Sequence, residues 1–445
     1  MKNKFPKGLS ENLIRNISKI KKEPKWMLKK RLEALSIFNA KKIPTWGPDL
    51  TSINFSELNY YIPSSSKKNQ KWEDVPKKIK DTFEKIGVPE AERKFLAGVG
   101  AQYDSEIVYK SLSKMLSQKG VIFQDMETGL KEHEDLVKAN FGKLIPSSDN
   151  KFSALNTACW SGGTFLYIPK NIKIDLPLQS YFRIASRNMG QFERTLIIAE
   201  EGSYVHFTEG CTAPTYSTNS LHAGVVEIMV KKNARVRYTT VQNWSKNIFN
   251  LVTKRMFVEE NGIGEFVDCN IGSKVTMKYP SIYLKGKYAK GEILSISLAS
   301  GNQVQDTGGK IFHLAHNTSS KILSKSISKN GGHANYRGFV MIAKNAKKSK
   351  SKVKCQGLIL DSKSSSASSP FMDVKEKDVE VSHEAFISKI EEEKLFYLCS
   401  RGISEEKAEE MMVNGFIEPI VKELPMEYAI ELNRLIKLEI FNSVI

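Results

Sequence analysis

The 445-residue sequence is short of cysteine, arginine and long apolar runs, and each shortage excludes something. Five cysteines, an odd number with no CxxC pair, cannot staple a disulfide scaffold or form a local zinc or four-thiolate cluster site. No apolar run approaches the roughly 18 residues of a membrane span, and the opening MKNKFPKGLSENLIRN lacks the apolar stretch of a secretory signal. The chain therefore reads as a soluble protein of a reducing compartment with no membrane partner. The frames GxxxxGK[ST], GxSxG, HExxH and GxGxxG are missing too, and Asp306-Thr307-Gly308-Gly309-Lys310 reads as a turn. Any ATP used by the system must be hydrolysed on another subunit.

What is present is lysine. The net charge is +18, and 55 of the 67 basic residues are Lys against 12 Arg. Nucleic-acid readout favours Arg, so the excess is better explained by an AT-rich genome than by a nucleic-acid partner. The charge is also uneven. From Glu376 to Ile445 there are 8 basic and 16 acidic residues, so this tail carries −8 and the rest +26. Such a break predicts a separate C-terminal unit with its own partner surface.

Periodicity divides the chain into three parts. Residues 1–150 read as mostly helical: Met27, Leu28, Leu32, Leu35 and Phe38 recur at helical spacing, and residues 71–120 hold further helices broken at Gly87-Val88-Pro89 and at Gly98 to Gly100. Residues 151–375 are short β-branched and aromatic runs punctuated every 8 to 12 residues, which leaves a sandwich, a barrel or a β-solenoid. The recurrent pieces EEGSY, KKNAR, EENGIGE and AKNAKKSKS favour stacked rungs, a parallel β-helix core with α-helical flanks. The Ser-rich stretch 363–370 reads as a loop. Residues 376–445 return to helix after a strand-like VEVSHEAF, with Ser404 as N-cap, Gly415 as stop, and Ala429, Leu432, Leu435 and Ile436 on one face. These helices would cap the open end of the solenoid, dock a partner, or both.

An isolated cysteine is most simply a small buried apolar residue. Two stand out. Cys211 lies in FTEGCTAPTYS, where Gly210 and Pro214 should break the strand and expose it. Cys355 ends KNAKKSKSKVKC, whose six lysines from 344 to 354 should favour its thiolate. His383-Glu384 follows 28 residues later, and a His and a carboxylate beside a thiolate suit iron. On a regular strand those neighbours face opposite sides, so binding one metal together needs a bulge, a strand end or an interface.

The strings ERKFLAGVGAQYDSE, NMGQFERTLIIAEEGSYVHFTEGCTAP, NIGSKVTMKYP, TSSKILSKSISK and KLFYLCSRGISEEKAEEMMVNGFIEPIVKELP resemble the SufB/SufD family of iron–sulfur cluster assembly proteins, and the SufB branch more than the SufD branch. The resemblance implies a right-handed parallel β-helix in a complex with SufD and the ATPase SufC, which docks on the C-terminal helices. A homodimer is a further assembly it allows. It also implies a transient cluster, sulfur delivery from a cysteine desulfurase with its sulfur-transfer partner, and room for a reduced flavin. By the same resemblance Cys355, His383 and Glu384 are cluster ligands at the SufD interface. Cys211 is the sulfur acceptor, and Arg183, Gln242, Trp244 and Lys254 line a path between the two cysteines. Ser382 and Ala185 stand where the family usually has Glu and Asn, and Cys159, Cys269 and Cys399 match no functional position. One thiolate with harder ligands, completed by a partner, would make the labile site a scaffold needs.

Two other classes compete. A carbohydrate-active β-helix enzyme needs carboxylates or arginines gathered on one rung face, which the spacing does not give. A nucleic-acid binder would reveal itself by salt-dependent affinity. About eight residues precede the part that resembles the family, too few for a transit peptide, which with the lysine bias points to synthesis inside a plastid, or alternatively to bacterial cytoplasm.

Overall fold

The computed structural model describes residues 5–62, 97–184, 189–213, 220–424 and 426–441. Two sheets of mainly parallel strands enclose a common interior, forming a β-solenoid of about seven turns with helices at both termini. In the first sheet Leu178–Arg183, Tyr204–Thr212, Arg235–Trp244, Ile263–Gly272, Lys290–Ser300, Ser319–Lys329, Ser349–Ile359 and Val379–Lys389 stack in that order. The opposing sheet begins as two files of short strands that merge at Val304–His313, and His333–Ile342 and Ser365–Val374 continue it.

The rungs are locked at one corner by backbone chemistry. Asn233, Asn261, Tyr288, Asn317 and Lys348 all hold φ between 54° and 61°. Each N–H donates to a carbonyl one turn on (Glu260, Lys287, His316, Lys347 and Asp378) at 2.6–3.3 Å. Three of the five are Asn, which tolerates this left-handed conformation better than other non-glycine residues. KKNAR, EENGIGE and AKNAKKSKS thus occupy one corner column, with the Tyr288 and Asn317 corners between the last two. Between corners, alternation sends Val205, Phe207, Val236, Tyr238, Phe266, Ile293, Ile322 and Val353 inward to meet Ile228, Met256, Ile282, Ile311 and Val340 of the other sheet.

The two ends differ. At the start, Glu106–Leu112 pairs antiparallel with Gly98–Tyr103, and Ile122–Asp125 antiparallel with Thr164–Ile168, covering both first edges. At the finish, Val379–Lys389 is the last strand of its sheet, and its Ala385 and Ile387, on the inward side, are exposed. Phe371 (61 % exposed) and Phe386 (58 %) fringe the same open end.

Several expectations change. Residues 98–112 are strands, not helix, because Val99 and Ala101 alternate into a sheet-covering apolar cluster. Helix continues past residue 150, as Lys151–Cys159, capped by Asn150. Residues 306–310 lie within Val304–His313 rather than in a turn. The Ser-rich stretch is strand from Ser365, half-exposed and alternating. Helix Glu405–Val421 runs through Gly415, with Pro419 inside, and Ser404 caps it by position without a side-chain bond. The expected helices over 72–96, Ala185 and Pro214 lie outside the described residues. The C-terminal helices do not plug the open end. Val413, Ile417, Ile420, Leu432, Leu435 and Ile436 pack on outward-facing Val267, Cys269, Leu294, Ile296 and Leu298, along the flank of the first sheet.

Candidate functional site

Cys355 and His383 sit on neighbouring rungs. Parallel register pairs Val353 with His383 and Cys355 with Ala385, and the Cys355 Sγ is 3.7 Å from His383 Nε2. The 28-residue spacing is one turn of the solenoid. Glu384 is on the other face, where it meets Lys354 at 3.4 Å and Lys352 at 3.9 Å. Among the described residues no three His, Cys, Asp or Glu side chains are placed to hold a metal, so this chain offers a cluster two ligands at that point.

The lysines do not activate the thiol as expected. Lys350, Lys352 and Lys354 project outward while Cys355, 3 % exposed, projects inward. Burial pushes the thiol up to about 11. Against it stand the hydroxyls of Tyr336 and Ser368, which face the sulfur and have no other partner among the described residues. Ser324, Ser326 and Ser366 complete a hydroxyl-lined chamber around it.

Cys211 is not exposed. The strand Tyr204–Thr212 continues through Gly210, leaving Cys211 2 % exposed with its Sγ 3.6 Å from Glu209 Oε1. Burial, with Glu209 and Glu193 adding to it, pushes this thiol well above its ordinary value.

Three of the four expected path residues belong to one buried network. Lys254 Nζ donates to Asp268 Oδ1 at 2.8 Å and to Thr240 Oγ1 at 3.1 Å. Lys278 Nζ reaches Gln242 Oε1 at 3.2 Å and Asp268 at 3.4 Å. Asn250 joins Gln242 to His222, whose ring lies 4.6 Å from that of Trp244. Burial works against the Asp268 carboxylate, but the Lys254 and Lys278 ammonium groups hold it well below the usual carboxylate range. Burial takes Lys278 down to about 8, with Asp268 opposing. Arg183 stands apart: Phe182 is the residue level with Cys211, and alternation puts half-buried Arg183 on the opposite face.

Register sets out two columns between the two cysteines, with Thr240, Asp268, Asn270, Ser295 and Ser324, which the sequence reading did not name. One inward column runs Cys211, Gln242, Asn270, Ser297, Ser326, Gly357, and its neighbour runs Glu209, Thr240, Asp268, Ser295, Ser324, Cys355. The two form a polar lane across six rungs, about 24 Å over five spacings of ~4.8 Å. Along it Gln242 Nε2, Asp268 Oδ2 and Asn270 Oδ1 are buried without a hydrogen-bond partner among the described residues. No cysteine lies between its ends, since Cys269 faces outward. The alternating serines of SISL and SKSIS carried the signal, and rung register was needed to read it.

The chain matches two family models: "SufBD protein N-terminal region" over residues 12–180, and "SUF system FeS cluster assembly, SufBD core domain" over residues 182–416. It is 57 % identical over 438 residues to an iron–sulfur cluster assembly SufBD family protein of Staphylococcus haemolyticus, covering 98 % of this chain and 94 % of that one. A Staphylococcus aureus relative of the same description matches with the same identity and coverage. These relatives are bacterial and give the plastid expectation no support.

Proposed function

The chain belongs to the SufBD family of iron–sulfur cluster assembly proteins, and from that premise we propose that it is a SufB-type scaffold, not an enzyme. In this reading it accepts sulfur at Cys211, conducts it through the polar lane, and holds a transient cluster at Cys355 and His383. The observation that carries the reading is the Cys355–His383 pair, 3.7 Å apart and one rung from an open end fringed by exposed Phe371 and Phe386. Exposed edge strands with apolar side chains suit a second solenoid, SufD, which would complete the coordination. The cluster is cargo, and two ligands from one chain hold it loosely enough to leave. A thiol held near 11 surrenders its proton as iron binds, so loading depends on pH. The acidic C-terminal helices on the flank would dock SufC, where ATP is hydrolysed.

The test is reconstitution with iron and sulfide of the complex co-expressed with SufC and SufD. Cys355→Ser should lose the cluster chromophore and keep the complex; His383→Ala should retain part of it. Glu384→Ala should behave as wild type, because its carboxylate faces away. Cys211→Ser should show no persulfide by mass spectrometry after incubation with desulfurase and sulfur-transfer partner. Normal cluster assembly in Cys355→Ser would overturn the reading.

A further inference from the structure

A second cleft, of about 490 Å³, lies on the flank where the segment 41–46 faces the solenoid, and nothing in the scaffold reading uses it. Five cationic side chains line it against a single carboxylate, Asp149. Two of the five are already committed. Arg255 pairs with Asp149 at 2.8 Å and donates to the Leu144 carbonyl at 2.7 Å. Lys151 Nζ donates to the carbonyls of Phe38 and Lys41 at 2.7 and 2.6 Å and lies over the Phe38 ring.

Lys310 is different. Among the described residues it has no ion pair, and its Nζ lies 5.2 Å from the centroid of the Tyr279 ring. Burial lowers its pKa, Asp149 acting against this and Arg255 adding to it, and a further anion alongside would raise it. The Trp46 indole, 51 % exposed, lies on the same tyrosine at 5.8 Å. The cleft therefore sets an unneutralised, partly buried ammonium beside an open aromatic face. An ammonium of this kind favours phosphate, and an exposed indole favours a planar ring, because each gains from contact that water does not replace.

We propose that this cleft binds a small planar aromatic phosphate of mononucleotide size, with Lys310 on the phosphate and Trp46 against the ring. The volume falls in the range of ordinary small-molecule sites. Arg255 and Lys151 hold the walls in place through the bonds above, and Lys42 at the rim adds favourable charge.

The experiment is calorimetric titration of the full chain with AMP, adenosine and inorganic phosphate, at low and at raised salt. AMP should bind saturably at one site, more tightly than either half, and more weakly as salt rises. Lys310→Gln should weaken AMP about tenfold and leave adenosine unchanged. Trp46→Leu should weaken AMP and adenosine about fivefold and leave inorganic phosphate unchanged. Thermal melts check that both variants are folded, and the two act independently should one fail. Absence of saturable AMP binding overturns the proposal, as does wild-type affinity in both variants. Inorganic phosphate binding as tightly as AMP would also overturn it, leaving only an anion site.

Discussion

Asp268→Asn should expose the energetics of the polar lane. The carboxylate is 1 % exposed and serves two buried ammonium groups, Lys254 at 2.8 Å and Lys278 at 3.4 Å. Removing one partner of a buried ion pair costs about 3–5 kcal/mol. The lysines then have one escape, which is to lose protons. Lys278 already titrates near 8, so releasing its proton at pH 7 adds only about 1.4 kcal/mol. A lysine neutral in the folded state but charged when unfolded, where its pKa is about 10.4, makes stability rise with pH. The unfolded state binds more protons, so each pH unit returns about 1.4 kcal/mol. Between pH 7 and 9 the variant should recover about 2.7 kcal/mol from one such lysine. Wild type, whose Lys278 starts to titrate only near 8, should recover about half as much. The deficit should therefore be about 3–5 kcal/mol at pH 7 and about 1 kcal/mol smaller at pH 9. Urea unfolding followed by circular dichroism at both pH values measures it. Adding Lys254→Met to the variant should recover part of the loss by removing the orphaned charge. A deficit below about 1 kcal/mol at pH 7, or one that grows with pH, would refute the reasoning.

Two further outcomes test the frame of the lane. Thiol labelling of the native chain at pH 8 should modify partly exposed Cys399 first and Cys355 slowly, because burial holds Cys355 up to about 11. Buried Cys159, Cys211 and Cys269 should react only after denaturation, and fast labelling of Cys211 would contradict its inward placement. Gly272→Ala should cost about 3 kcal/mol or more, read as a lowered urea midpoint. Its φ is +75°, and a Cβ there would stand 1.6 Å from the Trp244 carbonyl oxygen, so a neutral outcome would mean that this strand end is built differently.

The rung corners were legible because they depend on local chemistry: Asn233 and Asn261 sit in short polar pieces whose spacing repeats, and a left-handed corner needs such residues. The amphipathic face of Met426–Phe441 was legible for a similar reason, since its period of 3.6 needs no knowledge of the partner. What failed was any inference that took neighbours in sequence for neighbours in space. The lysines around Cys355 and the carboxylate beside His383 are adjacent along the chain, yet alternation sends them to the other side of the sheet. Residues 98–112 failed differently. Gly98 and Gly100 read as helix breakers, whereas they sit in a strand paired on both sides, with Glu106–Leu112 next in the chain and with Leu178–Arg183 some 80 residues away.

The polar lane shows why a site of this kind stays hidden in composition. Inward positions of a solenoid are expected to be apolar, so composition alone gives Thr240, Ser295, Ser297 and Ser324 no sign of facing inward. In fact each rung is divided in cross-section. Its first inward residues, such as Val236 and Tyr238, join the apolar cluster, and the next ones, Thr240 and Gln242, join the lane. The apolar half supplies the burial that keeps the rungs stacked. That leaves the other half able to carry buried polar atoms without partners, each worth about 1–3 kcal/mol of lost stability. Cys355 lies where the two halves meet: it packs with Val353 and Tyr336 in the apolar cluster, yet it ends the column of Asp268, Ser295 and Ser324. Its burial and its place in the lane are one arrangement. In the proposed scaffold role the apolar side would keep the thiol neutral until a metal displaced the proton, and the polar side would offer an anionic sulfur species hydrogen-bond donors.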